Sequence, residues 1–275
     1  MRVFVLGLCL VPIFFAQAKV SRFIINGSEL QAFQVPQMQK LQAVQWSCSA
    51  TLIGPRTIIT AAHCVEIRGA YEFEQVFGPT ADNKFYRARL IRHPDFSPNP
   101  LQPNIPLDFA FKNDIALGIL DRDVEGLTPL TLTGRLPVMQ EAVLYAGRGL
   151  PTNKRMWGQG RVVTISDLGL TLRGFGQNMQ VAHGGDSGGP SFIVDPETRE
   201  LQVFAIISTS TREFDKTARL GWPEALPYTQ GISRVFPGPA QSRPFRSPSF
   251  IERVAEIEKL QICGLNLKCP AVTMD

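Results

Sequence analysis

The chain has 275 residues, of which 44% are hydrophobic and 19% charged, with a formal net charge of +4. That apolar content is enough for a sizeable core in one or two domains and excludes a disordered or fibrous chain. So small a positive surplus, with no basic helix to concentrate it, also excludes a nucleic-acid footprint.

The opening stretch MRVFVLGLCLVPIFFAQA sets a basic Arg2 before an apolar run that ends in the small-x-small triplet Ala16, Gln17 and Ala18. It predicts a secretory signal peptide over residues 1–18. The run is short for an uncleaved anchor, which would need roughly 20 apolar residues. No later stretch is long and apolar enough to span a bilayer, so no membrane association is expected once the signal is cut. Cleavage after Ala18 starts the mature chain at Lys19 and removes Cys9. The other four of the five cysteines fall into two local pairs, Cys48 with Cys64 and Cys263 with Cys269. An even count in an oxidising compartment predicts disulfides and a secreted protein, extracellular or periplasmic. There is no CxxC and there are three histidines, so no metal site is expected.

Beyond the leader the chain reads as short apolar runs punctuated by Gly, Pro, Asn and Asp: CSATLIG, RTIITAA, FYRARLIRH, DIALGIL, EAVLYAG, GRVVTIS, SFIVD and LQVFAIIST. Runs of strand length rich in β-branched residues predict an all-β chain of many antiparallel strands, in barrels or sandwiches. A proline-rich stretch over residues 236–249 reads as a surface loop. After it, PSFIERVAEIEKLQ sets Ile251, Val254, Glu256, Ile257 and Leu260 in a pattern with apolar residues at three- and four-residue steps, predicting an amphipathic C-terminal helix with Ser247 as N-cap and Pro248 at its first position.

The stretch HGGDSGGP over residues 183–190 has two readings. Gly and Pro can mark nothing more than a turn between strands. Alternatively Ser187 is a nucleophile, and the flanking glycines let a substrate carbonyl approach backbone N–H groups. A serine hydroxyl needs a base, and the base needs an orienting carboxylate. His63 follows an apolar strand in TIITAAHCV, beside Cys64, where a disulfide would hold the local backbone. His93, in IRHPDF, reads as an exposed loop residue. His183 sits too close to Ser187 in a tight turn to face it. Asp114, in FKNDIALGIL, is either a strand-start aspartate or a buried carboxylate that requires a partner such as a histidine N–H.

Taken together, TAAHC, NDIAL and GDSGGP, in that order, resemble the chymotrypsin and trypsin family of serine proteases. IING at 24–27, HPDF at 93–96, AGRG at 146–149, the Cys48 and Cys64 pair and the closing helix extend the resemblance over most of the mature chain. It implies two packed six-stranded antiparallel β-barrels with a C-terminal α-helix, as a protease domain over residues 24–275. It further implies a triad of His63, Asp114 and Ser187, an oxyanion hole from the N–H groups of Gly185 and Ser187, and no cofactor. A short propeptide over residues 19–23 would be removed, and the freed amino group of Ile24 would pair with Asp186. The residue before Ile24 is Phe23, not the basic residue usual in the family, so activation is expected after Phe23.

The resemblance also places the substrate pocket at Val181, Ser208, Thr209 and Ser210. Valine on the pocket floor implies cleavage after small or medium apolar residues. His183 stands where the family has a pocket-bracing cysteine. The expected activity is that of a monomeric secreted serine endopeptidase acting on proteins or peptides. The alternative is a non-catalytic binding protein on the same scaffold.

Overall fold

The computed structural model describes residues 24, 27–30, 35–43, 46–65, 67–68, 71–72, 75–80, 82–98, 111–133, 135–149, 154–166, 169–174, 180, 182–214, 228–237 and 250–273. The expected signal peptide and propeptide, Val181, Ser247 and Pro248 lie outside them, as does most of the proline-rich stretch.

Six strands form a closed antiparallel barrel: β1 (Met38–Gln42), β2 (Ser47–Gly54), β3 (Thr57–Thr60), β4 (Gln75–Phe77), β5 (Tyr86–Arg92) and β6 (Ala116–Leu120). The order around it is β6-β3-β2-β1-β4-β5, closed by β5 against β6. Period-two patterning sets the inward face of β5, where Tyr86, Ala88 and Leu90 are buried while Arg87 and Arg89 are exposed. With Met38, Leu41, Leu52, Ile58, Phe77 and Leu117 they fill a shared core.

Apart from two small two-stranded pairs, Ile67–Arg68 with Tyr71–Glu72 and Ser97–Pro98 with Phe111–Lys112, the remaining described strands form one eight-stranded sheet, mixed because Thr131–Leu132 joins it in parallel. Its long strands are β7 (Ala142–Gly147), β8 (Met156–Ser166), β9 (Gly169–Gly174), β10 (Pro190–Val194), β11 (Leu201–Phe214) and β12 (Tyr228–Pro237). All six pair antiparallel in the order β8-β7-β10-β11-β12-β9, and β9 also pairs with β8, so the ring returns to its starting strand. The second barrel expected from the sequence is this ring, with Ser28–Glu29 added on β8 and Thr131–Leu132 on β11. Its interior holds Ile24, Val143, Tyr145, Val162, Leu172, Ile193, Phe204 and Ile207.

The helix α1 (Phe250–Ile257) packs Ile251, Val254 and Ala255 into the first core. Ile257, expected on the same face, is 68% exposed, because the helix ends there. Lys259 takes φ +51, and the N–H of Leu260 returns to the carbonyl of Ala255 at 2.8 Å. That reversal is a Schellman-type stop, and it carries Leu260 back into the core beyond the last helical turn. Among the described residues no helix is long and apolar enough to cross a membrane.

Candidate active site

The site lies where the two sheets meet. From the first barrel, β3 runs into a one-turn 3-10 helix, Ala62–Cys64, that carries His63. Cys64 is disulfide-bonded to Cys48 on β2 with Cα atoms 6.1 Å apart, which anchors that turn to the barrel wall. The second bond, Cys263 to Cys269, closes a small loop after α1 with Cα atoms 5.4 Å apart. The donor atoms of Cys48, His63 and Cys64 lie within 4.8 Å of one another, but both sulfurs are committed to the disulfide, leaving one imidazole and no metal cage.

Asp114 is fully buried at the head of β6, just after Asn113, whose φ is +54. Its carboxylate receives the backbone N–H of His63 on Oδ1 at 2.8 Å, and Nδ1 of His63 lies 2.7 Å from Oδ2. The hydroxyl of Ser208 also donates to Oδ2. Facing a carboxylate, Nδ1 must carry the hydrogen, which leaves the Nε2 lone pair as the basic position of the ring. The imidazole is partly open to solvent, with 22% of its side-chain surface accessible, so the dyad is buried on the acid side and reachable on the base side.

Ser187 sits on the loop between residues 182 and 190, ahead of β10. Its hydroxyl donates to the carbonyl of Ser208 at 3.5 Å, and its own carbonyl accepts the N–H of Ser49 at 2.8 Å. Gly188, at φ +79, presses on the first barrel: a Cβ there would fall 2.2 Å from both the Ser49 carbonyl and Thr60 Oγ1. A Cβ on Gly189 would meet the Ala146 carbonyl at 2.1 Å. Gly188 is therefore required by packing between the sheets and Gly189 by packing within the second, reasons separate from leaving room for substrate. Before it, the N–H of Asp186 bonds the His183 carbonyl at 3.0 Å, closing a turn in which Gly185 has φ +92. The N–H groups of Gly185 and Ser187 donate to no acceptor among the described residues.

Asp186 is fully buried and accepts the N–H groups of Gly149 at 2.9 Å and His183 at 2.8 Å. Gly147 makes room for it, since a Cβ there would lie 2.2 Å from Asp186 Oδ1. Burial pushes its pKa up to about 8, against the opposing pull of the Gly149 N–H. No cation pairs with it among the described residues. Ile24, its expected partner, is buried in the second core with Tyr145, Met156 and Ala182, and its nitrogen is a peptide nitrogen in the intact chain.

Of the expected pocket residues, Ser208 points its hydroxyl at Asp114, away from a pocket-lining role for that group, while Thr209 and Ser210 continue β11 with side chains outside the described set. His183 is half-buried, and its Nδ1 is a buried nitrogen with no hydrogen-bond partner among the described residues. His93, read as an exposed loop residue, is half-buried against the Phe250 ring at 4.8 Å, and burial lowers its pKa. Ser49 and Tyr145 carry no local sequence signal, yet both brace the site. The hydroxyl of Tyr145 holds the Gln180 carbonyl at 2.7 Å, next to Val181 in sequence.

The family model for Trypsin matches residues 24–219. Kallikrein-11 from Mus musculus is 29% identical over 142 residues, covering 48% of this chain and 49% of that protein. The chain thus spans about half the length of this curated relative.

Proposed function

The chain belongs to the trypsin family, and we propose that it is a secreted serine endopeptidase in which Ser187, His63 and Asp114 form the catalytic triad. The observation that carries the reading is the pairing of His63 Nδ1 with the buried Asp114 carboxylate at 2.7 Å, beside Ser208, which donates to that carboxylate and whose carbonyl accepts the Ser187 hydroxyl. Asp114 holds the imidazole in the tautomer whose Nε2 can take the proton from Ser187 Oγ. Ser187 then attacks the scissile carbonyl, and the N–H groups of Gly185 and Ser187 donate to the developing oxyanion. His63 returns the proton to the leaving amine, water enters, and the acyl-enzyme is hydrolysed by the same sequence in reverse.

The mature terminus is Ile24, produced by removing residues 1–18 as a signal and 19–23 as a propeptide. Its freed amino group pairs with Asp186, which otherwise lies buried without a cation among the described residues. Cleavage follows small or medium apolar residues, because Val181 offers no charge for a basic side chain. The substrates are proteins or peptides, and the enzyme works as a monomer without cofactor.

Intact mass before and after exposure to a fluorophosphonate tests the assignment, with Ser187→Ala as control. One adduct on the wild type and none on the variant is expected. A chain beginning at Ile24 that takes no adduct would leave the family scaffold as a binding protein.

A further inference from the structure

Ser49 is fully buried on β2, one residue after Cys48, and all its polar groups are used. Its hydroxyl accepts the N–H of Arg148 at 2.8 Å and donates to the carbonyl of Gly185 at 3.0 Å. The Ser49 N–H donates to the carbonyl of Ser187 at 2.8 Å, and its own carbonyl accepts the Thr60 hydroxyl at 2.8 Å. One residue of the first barrel therefore grips the carbonyls on both sides of Asp186, across the junction between the sheets.

We propose that Ser49 is a positioning residue for the oxyanion hole. Its hydroxyl pins the Gly185 carbonyl and so fixes the peptide unit between Gly185 and Asp186, which leaves the Gly185 N–H only the rotation about its own φ by which to turn from the reacting carbonyl. The turn from His183 to Asp186 is closed by the Asp186 N–H on the His183 carbonyl and by the His183 N–H on the Asp186 carboxylate, and it has two glycines at its centre. Glycine turns exchange peptide orientations readily, so the direction of the Gly185 N–H needs an external restraint. The Ser49 hydroxyl supplies it by holding the peptide unit that follows Gly185, as the Ser49 N–H holds the one that follows Ser187. It also ties in Arg148, which lies between Gly147 and Gly149, the two residues that clasp Asp186. Removing the hydroxyl strands the part-buried Gly185 carbonyl and the buried Arg148 N–H together, and rotation of the turn is the available relief.

This inference rests on the reading of Ser187 as nucleophile, and the test separates the two. Wild type, Ser49→Ala, Ser49→Thr and Ser187→Ala are compared on the peptide p-nitroanilide that the wild type cleaves fastest from a panel varied before the scissile bond. They are also compared against a trifluoromethyl ketone of the same sequence, whose adduct places an oxyanion in the hole. Ser49→Ala is expected to lose about tenfold in kcat with KM little changed, and to lose inhibitor affinity by a similar factor. Ser49→Thr, which keeps the hydroxyl, is expected to retain most of both. An active wild type alongside a Ser49→Ala variant with a lower melting temperature but unchanged kcat and inhibitor affinity overturns this inference alone. A wild type as inert as Ser187→Ala overturns the nucleophile assignment and this inference with it.

Discussion

The hydroxyl of Ser208 donates to the same Oδ2 of Asp114 that faces His63 Nδ1, so one carboxylate oxygen is shared between strand β11 and the turn after β3. Because Asp114 is fully buried, its charge depends on these donors in place of water. Ser208→Ala removes one of three and leaves the imidazole contact in place. The expected result is a fall in kcat of about tenfold, since a hydrogen bond to a charged group contributes about 1.5–3 kcal/mol. Steady-state kinetics on a peptide substrate check it, and unchanged kcat would show that the His63 contacts alone hold the carboxylate.

Asp114→Asn tests the tautomer argument directly. The amide is nearly the same shape, but if its NH2 group faces His63, Nδ1 must become the acceptor and Nε2 the protonated position. The base is then lost while the fold stays intact. The expected loss is about 10⁴-fold in kcat near neutral pH, with a melting temperature close to that of the wild type. Activity within tenfold of the wild type would remove Asp114 from the mechanism.

The order of His63, Asp114 and Ser187 was legible because each sits in a short run of neighbours with strong local character: an apolar strand before His63, one after Asp114, glycines around Ser187. The first barrel was legible for a similar reason, since alternation along β5 marks its inward face. Contacts made between sheets were not. Ser208 reads as a pocket residue by its place on the strand, yet its hydroxyl turns to a carboxylate 94 positions away in the chain. Ser49 follows a cysteine in an unremarkable strand, and only the meeting of the barrels brings it to Gly185, 136 positions on. Ile257 keeps the helical spacing, but the left-handed Lys259 ends the helix before that spacing can bury it.

Asp186 makes the stability of the intact chain depend on pH. Its buried carboxyl titrates at about 8, whereas an unfolded aspartate titrates near 4. Between those values the folded chain keeps a proton that the unfolded chain has released. The stabilising effect of that proton is complete below about pH 4 and is lost as pH rises toward 8. Melting temperatures of the Ser187→Ala chain, with Ile24 still joined to Phe23, should therefore drop from about pH 5 to pH 8. Asp186→Asn on the same background should flatten the curve over that range. Identical profiles for the two would show that Asp186 is ionised in the intact chain.

Gly184 and Gly188 make a controlled pair for the glycine-rich turn. Gly184 is exposed, and a Cβ there would meet nothing within 4 Å. Gly188 has φ +79, and a Cβ would collide with the Ser49 carbonyl and Thr60 Oγ1 at 2.2 Å. Gly184→Ala should leave unfolding free energy within about 0.5 kcal/mol of the wild type, as at an open surface site. Gly188→Ala has to push backbone apart while adopting a conformation unfavourable to an L side chain, and should cost more than about 2 kcal/mol. It should also lower kcat, because the same collision displaces Ser49 from Ser187 and Gly185. Chemical denaturation of both variants decides the point. Equal stability would mean that the sheets are not pressed together at Gly188, and the packing reason for a glycine there would fall.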